Sequence, residues 1–195
     1  MRESIVLPDP IRVTLLVTRE FEHLGIQYLI GGSFASTIYG KVRTTQNADI
    51  IASMQLQHVP MFIGELQSEF YIDENVVIDA IQRNSSFNII HRDTMFKVDV
   101  FIPSMSAYTQ SQFDRARKQT VALGQDISAN FASPEDTILA KLVWFRMGGN
   151  ISEKQWEDVI GVLKVRLQDL DFEYLRQWAN ELQVLDLLDK AIKET

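Results

Sequence analysis

Cysteine is missing from the chain altogether, and that one gap removes several kinds of chemistry. Without it there is no disulfide framework, no zinc–thiolate or iron–sulfur centre, and no thiol nucleophile. Histidine is scarce as well: His23, His58 and His91 lack metal-ligand spacing and read as structural. No apolar run reaches the ~18 residues that a membrane span needs, and residues 1–8 hold no apolar stretch of signal-peptide length. Positive charge is in short supply, with 19 Lys+Arg against 26 Asp+Glu and a net charge of −7. A dedicated duplex-DNA binder carries a basic face that replaces phosphate counterions, so this balance argues against one. The expectation is a cytoplasmic protein with neither a membrane nor duplex DNA as partner.

What remains is ample material for a core. Of 195 residues, 46% are hydrophobic, and 11 Phe, 5 Tyr and 3 Trp sit among abundant Ile, Leu and Val, so the chain is not disordered. Asp9-Pro10 opens a first helix whose apolar face is Val13, Leu16, Val17, Phe21 and Leu24, stopped by Gly25. Residues 27–30 read as a strand, 33–39 as a helix, 48–53 as a strand and 57–70 as a helix. Residues 74–83 fit either period, with helix preferred. Residues 87–90 and 96–102 read as strands joined by a hairpin loop, followed by a helix over 107–117 and a strand over 119–123.

After Ser133 the pattern turns wholly helical. Ser133-Pro134-Glu135-Asp136, Ser152-Glu153-Lys154-Gln155 and Asp171 are helix-start signals, and Leu185, Leu188 and Ile192 line a last helix. The layout predicts an α/β part over residues 1–132 and a C-terminal helical region over 133–195. The two parts carry formal charges of −3 and −4, so the shorter helical region is the more acidic per residue.

Three segments carry residues capable of chemistry. In Leu29-Ile30-Gly31-Gly32-Ser33, a strand, a glycine turn and a helix start follow one another. Converging N–H groups at such a turn favour a phosphate, whereas the plainer reading is a tight corner with Ser33 capping the helix. In Arg43-Thr44-Thr45-Gln46-Asn47-Ala48-Asp49, strand alternation puts Asn47 and Asp49 on one face, where both can turn oxygens to a hard cation. The alternative is a polar loop with Asp49 paired to Arg43 or Lys41. In Lys97-Val98-Asp99-Val100-Phe101, an aspartate inside an apolar strand needs a partner. Lys97 stands about 7 Å away along the strand and is an imperfect one. A cation shared with Asp49 and a salt bridge to an arginine remain the two readings.

The order of these segments resembles the nucleotidyltransferase superfamily, in particular the small bacterial members of antitoxin and abortive-infection families. The likeness rests on Gly31-Gly32-Ser33, Arg43-x-Thr45-x-Asn47-x-Asp49, Lys97-Val98-Asp99, the run 87–91, and Ala132-Ser133-Pro134-Glu135-Asp136 with Lys141 downstream. It implies an α+β fold, a mixed β-sheet flanked by helices, with two Mg²⁺ ions held by three carboxylates; Mn²⁺ can substitute. It also implies that the glycine turn, Ser33, Arg43, Thr45 and Lys97 hold a nucleoside triphosphate. The product would be a nucleoside monophosphate placed on a hydroxyl of a protein, RNA or small-molecule acceptor, with pyrophosphate released.

One position departs from the pattern. Alignment on Arg43 and Thr45 puts Asn47 where the first metal aspartate belongs, leaving Asp49 and Asp99 as the second and third ligands. An amide oxygen still ligates Mg²⁺ but brings no charge, so the two-ion state is weakened most. Two functions therefore compete: Mg²⁺-dependent nucleotidyl transfer, and a catalytically degenerate nucleotide-binding or protein-interaction module. Lys141 is expected to face solvent, and Trp144, Trp156 and Trp178 to anchor the helical faces.

Overall fold

A computed structural model describes residues 9–40, 45–122 and 127–195. The chain divides into two compact units, one of residues up to 30, 45–105 and 118–130, the other of residues 31–44, 106–117 and 131–195. Each is built from a different kind of layer.

The first unit is a mixed sheet covered on one face by helices α1 (Asp9–His23), α3 (Val59–Leu66) and α4 (Glu74–Arg83). Its strands are β1 (Tyr28–Ile30), β2 (Asn47–Ala52), β3 (Phe70–Tyr71), β4 (Ser86–His91), β5 (Lys97–Phe101), β6 (Arg117–Ala122) and β7 (Ile127–Phe131). They lie side by side in the order β3-β4-β5-β2-β1-β7-β6. β2 pairs antiparallel with β1 and parallel with β5, while β4 pairs antiparallel with β5 and β3.

Strict alternation along the central strands decides which side is core. Ala48, Ile50 and Ala52 of β2, Val98 and Val100 of β5, and Phe87 and Ile89 of β4 are buried. Against them lie Val13, Val17 and Phe21 of α1, Phe62 of α3, and Val77 and Ala80 of α4. Phe62 is the hinge of this cluster, stacked on Phe21 at 5.3 Å and edge-on to Phe87 at 6.2 Å between ring centroids. The intervening residues of β2 and β5 point to the opposite face.

Two elements differ from the sequence pattern. The helix expected over 57–70 stops at Leu66, and Phe70 instead pairs with His91 as the edge strand β3. Its ring is fully buried there, and burial at the sheet edge outweighs one more polar helical turn. β7 was not expected at all. Ile127-Ser128-Ala129-Asn130-Phe131 has only weak strand propensity, but its neighbours in the sheet, β1 and β6, supply the pairing.

The second unit is helical: α2 (Gly32–Tyr39), α5 (Ala107–Asp114), α6 (Pro134–Met147), α7 (Glu153–Arg166), α8 (Phe172–Glu181) and α9 (Leu185–Lys193). α6, α7 and α8 begin where the cap signals place them, with Ser133, Ser152 and Asp171 each accepting a backbone N–H. Ile138, Leu139, Leu142, Val159, Leu163, Leu175 and Leu188 form the core between them. Gly40, just after α2, lies so close to α7 that a Cβ there would meet the backbone of Gly161 and Val162 at 3.0 Å.

Candidate functional site

The register between β2 and β5 places Asn47 opposite Lys97 and Asp49 opposite Asp99. Because Ala48, Ile50, Val98 and Val100 take the helix-covered face, all four of these polar residues share the other. Residues fifty positions apart in sequence thus become immediate neighbours, and two carboxylates come side by side. Like charges at such separation repel by several kcal/mol unless something compensates them.

The compensation is supplied from within. The Asn47 Nδ2 group donates to Asp49 Oδ1 at 3.0 Å and to Asp99 Oδ2 at 2.7 Å. Only the nitrogen end of the amide can face both carboxylates, since its oxygen would repel each of them. The Lys97 ammonium stands 3.0 Å from the same Asp99 oxygen. The strand rise that made Lys97 look too distant is bridged by its long flexible stem. The Thr45 hydroxyl donates to the Asn47 carbonyl at 2.8 Å and so fixes the chain where it enters β2. Asp99 has Asn88 of β4 as its register partner on the other side.

No family model and no curated protein matches the chain. Its likeness is to solved structures. An antigenic nucleotidyltransferase-like protein from Paracoccidioides brasiliensis matches over 95% of this chain and 93% of its own, at 16% identity and a TM-score of 0.54. The antibiotic-resistance factor ANT(2″)-Ia, crystallised with adenylyl-2″-tobramycin, matches over 89% of this chain and 96% of its own, at 10% identity and a TM-score of 0.59. The same factor in solution gives 12% identity and a TM-score of 0.51, covering 96% of this chain and all (100%) of its own. This is the nucleotidyltransferase fold.

Within that fold the residues of β2 and β5 can be weighed as a metal site. Among the described residues no group of three or more His, Cys, Asp or Glu is placed to hold an ion. At the three positions singled out from the sequence the structure sets one amide, Asn47, beside the two carboxylates of Asp49 and Asp99. Two adjacent carboxylates, with an amide that can turn its oxygen inward, suit one hard divalent cation completed by water and phosphate oxygens. Lys97 brings a positive charge to Asp99 as well.

The other expected residues are distributed as follows. Arg43 and Lys41 lie outside the described residues. Gly31, Gly32 and Ser33 belong to the helical unit. There Gly31 is the N-cap of α2, and Gly32 has φ 55°, a left-handed conformation that favours glycine. Ser33 is buried within the first turn rather than at the cap.

The same unit holds a polar cluster that the sequence pattern did not single out. Glu135 and Asp136 read as an acidic first turn of α6, yet both are fully buried. Asp136 accepts from the Ser133 hydroxyl at 2.6 Å and from the Tyr174 hydroxyl at 2.7 Å. Burial pushes its carboxyl above the ordinary range, although both hydroxyl donors oppose the shift. Desolvation, reinforced by the Asp136 charge, raises the Tyr174 phenol. Glu135 is met by Arg115 at 3.4 Å, whose guanidinium lies over the Tyr174 ring at 4.0 Å and also reaches Asp171 at 3.3 Å. Lys141, expected in solvent, is buried on α6 and paired with Asp158 of α7 at 2.8 Å. The apolar spacing around Lys141 was the available signal for its burial; its counter-charge lies on another helix.

Proposed function

We propose that the chain takes up a nucleoside triphosphate with one divalent cation at the Asp49–Asp99 pair, and that Asn47 holds it short of efficient nucleotidyl transfer. The observation that carries this reading is the Asn47 amide bridging both carboxylates. Asp49 and Asp99 supply two charged oxygen ligands from neighbouring strands. Asn47, rotated about its Cβ–Cγ bond, adds a neutral oxygen in place of a third charge. A cation held there would neutralise triphosphate oxygens and polarise the phosphorus under attack. The sequence resemblance alone assigns Gly31, Gly32, Ser33, Arg43, Thr45 and Lys97 to the phosphates. Backbone N–H groups of the glycine turn and two cationic side chains are the donors that triphosphate oxygens require.

The neighbour crystallised with adenylyl-2″-tobramycin supports nucleotidyl chemistry as the class of reaction for which such a site is built. Transfer itself calls for an activated hydroxyl as well as a neutralised triphosphate. With one ion instead of two, the attacking and leaving oxygens are not both clamped. The acceptor class, a hydroxyl of protein, RNA or a small molecule, follows from the same chemistry.

Calorimetric titration with ATP, GTP, CTP and UTP, with EDTA or with Mg²⁺ or Mn²⁺, tests the binding half. At least one triphosphate should bind, and only with the cation present. Failure of all four with either ion refutes the reading. Pyrophosphate release is then followed with lysate supplied as acceptor. The expected outcome is release barely above that of the Asp99→Asn variant, and a fast release overturns the assigned role of Asn47.

A further inference from the structure

Lys97 is the one cationic side chain seen at the carboxylate pair among the described residues, and its placement has a consequence for how the pair is loaded. The ammonium sits 3.0 Å from Asp99 Oδ2, the oxygen that also accepts the Asn47 amide at 2.7 Å. That oxygen is therefore occupied twice over by donors. Its side chain is 17% exposed, whereas that of Lys97 is 45% exposed, so one partner is held in the sheet and the other is free to swing. Lys97 is anchored by its backbone between Asn47 of β2 and Ile90 of β4, and only its four-carbon stem need move.

We propose that Lys97 is an exchangeable counter-cation: it competes with a metal ion for Asp99, and moves to a phosphate oxygen when a cation arrives with a triphosphate. This rests on the nucleotide reading given above and deepens it. An ion alone must displace a positive charge from Asp99 and leave that charge unpaired beside itself, which is unfavourable. An ion carrying a triphosphate brings the replacement partner with it. Lys97 thus links the two ligands, so that bare metal binds weakly and the metal–triphosphate complex binds well. It is a positioning and coupling residue, not one that takes part in bond making.

The test uses Mn²⁺ alone, followed by electron paramagnetic resonance, and then Mn²⁺ with a non-hydrolysable ATP analogue, followed by calorimetry. Wild type, Lys97→Met and Lys97→Arg are compared after their folding is checked by circular dichroism. Removing the charge should tighten bare Mn²⁺ by roughly fivefold and weaken the analogue by a similar factor, as suits a partly exposed ion pair. Lys97→Arg, which keeps the charge, should stay near wild type in the Mn²⁺ titration. The opposite signs of the two changes are the signature, since a merely structural lysine moves both in one direction or neither.

Bare Mn²⁺ binding that is unchanged or weakened in Lys97→Met overturns the competition. Tightened Mn²⁺ with unaltered analogue affinity overturns the exchange onto phosphate. If the analogue binds neither protein, the nucleotide reading and the exchange fall together, while the Mn²⁺ titration still decides whether Lys97 competes for Asp99.

Discussion

Replacing Asn47 by aspartate should make the stability of the fold depend on a divalent cation. The change removes two N–H donors, those reaching Asp49 at 3.0 Å and Asp99 at 2.7 Å, and sets a third carboxylate beside the pair. Hydrogen bonds to charged groups contribute about 1.5–3 kcal/mol each. Since the pair is only partly buried, the low end applies, and the two together amount to about 3 kcal/mol. Added repulsion is limited, because the partly exposed cluster is screened by solvent. For a chain of this size about 1 kcal/mol corresponds to ~2–4 °C in Tm, so the variant should melt roughly 6–12 °C below wild type in EDTA. A cation at one hundred times its dissociation constant returns about 2.7 kcal/mol, which recovers most of the loss. Thermal melts followed by circular dichroism, in EDTA and in 10 mM (about a hundredfold excess) Mg²⁺, make the comparison. Wild type should shift little between the two buffers. An Asn47→Asp protein that melts with wild type in EDTA, or gains nothing from Mg²⁺, would refute the argument that the amide compensates the carboxylates.

Three further outcomes follow from the helical unit. Lys141→Met breaks the buried ion pair with Asp158 and should lower stability by about 3–5 kcal/mol in urea unfolding, whereas Lys141→Met with Asp158→Leu should regain most of it. Gly40→Ala drives a methyl to 3.0 Å from the backbone of Gly161 and Val162, which cannot swing aside as a side chain would; a loss of about 1–3 kcal/mol is expected in the same assay. Asp136 has its pKa raised by burial, so between the ordinary carboxylate range and its higher folded value the native state holds more protons than the unfolded chain. This group's contribution is therefore full at low pH and declines as pH rises through the folded value. The Tm difference between wild type and Asp136→Asn should fall as pH rises above the ordinary carboxylate range; a flat difference would show that burial does not raise this carboxyl.

Much of the scaffold was legible because its signals are local. Ser133, Ser152 and Asp171 each satisfy an N–H three residues on, so the starts of α6, α7 and α8 are written within one turn of sequence. α4 was ambiguous by periodicity alone, and the Asp73 cap with Asn84 in a left-handed closing conformation resolves it as helix. β3 and β7 escaped because a two-residue edge strand and a weakly apolar one owe their existence to the strands beside them.

The candidate site shows the same division more sharply. Sequence alone determined that Asn47 and Asp49 share a strand face and that Lys97 and Asp99 share another. The tertiary structure decided that these two faces are one. Parallel pairing of β2 with β5 sets Asp49 against Asp99, and only then does it matter that Asn47 points donors at both and that Lys97 reaches the same oxygen. Likewise the sequence supplied a lysine and an acidic turn on α6, and packing made Lys141, Glu135 and Asp136 interior groups with partners on other elements. The physical reason is common to both: alternation and capping act over a few residues, but charge compensation acts through space, and its partners are chosen by register and packing.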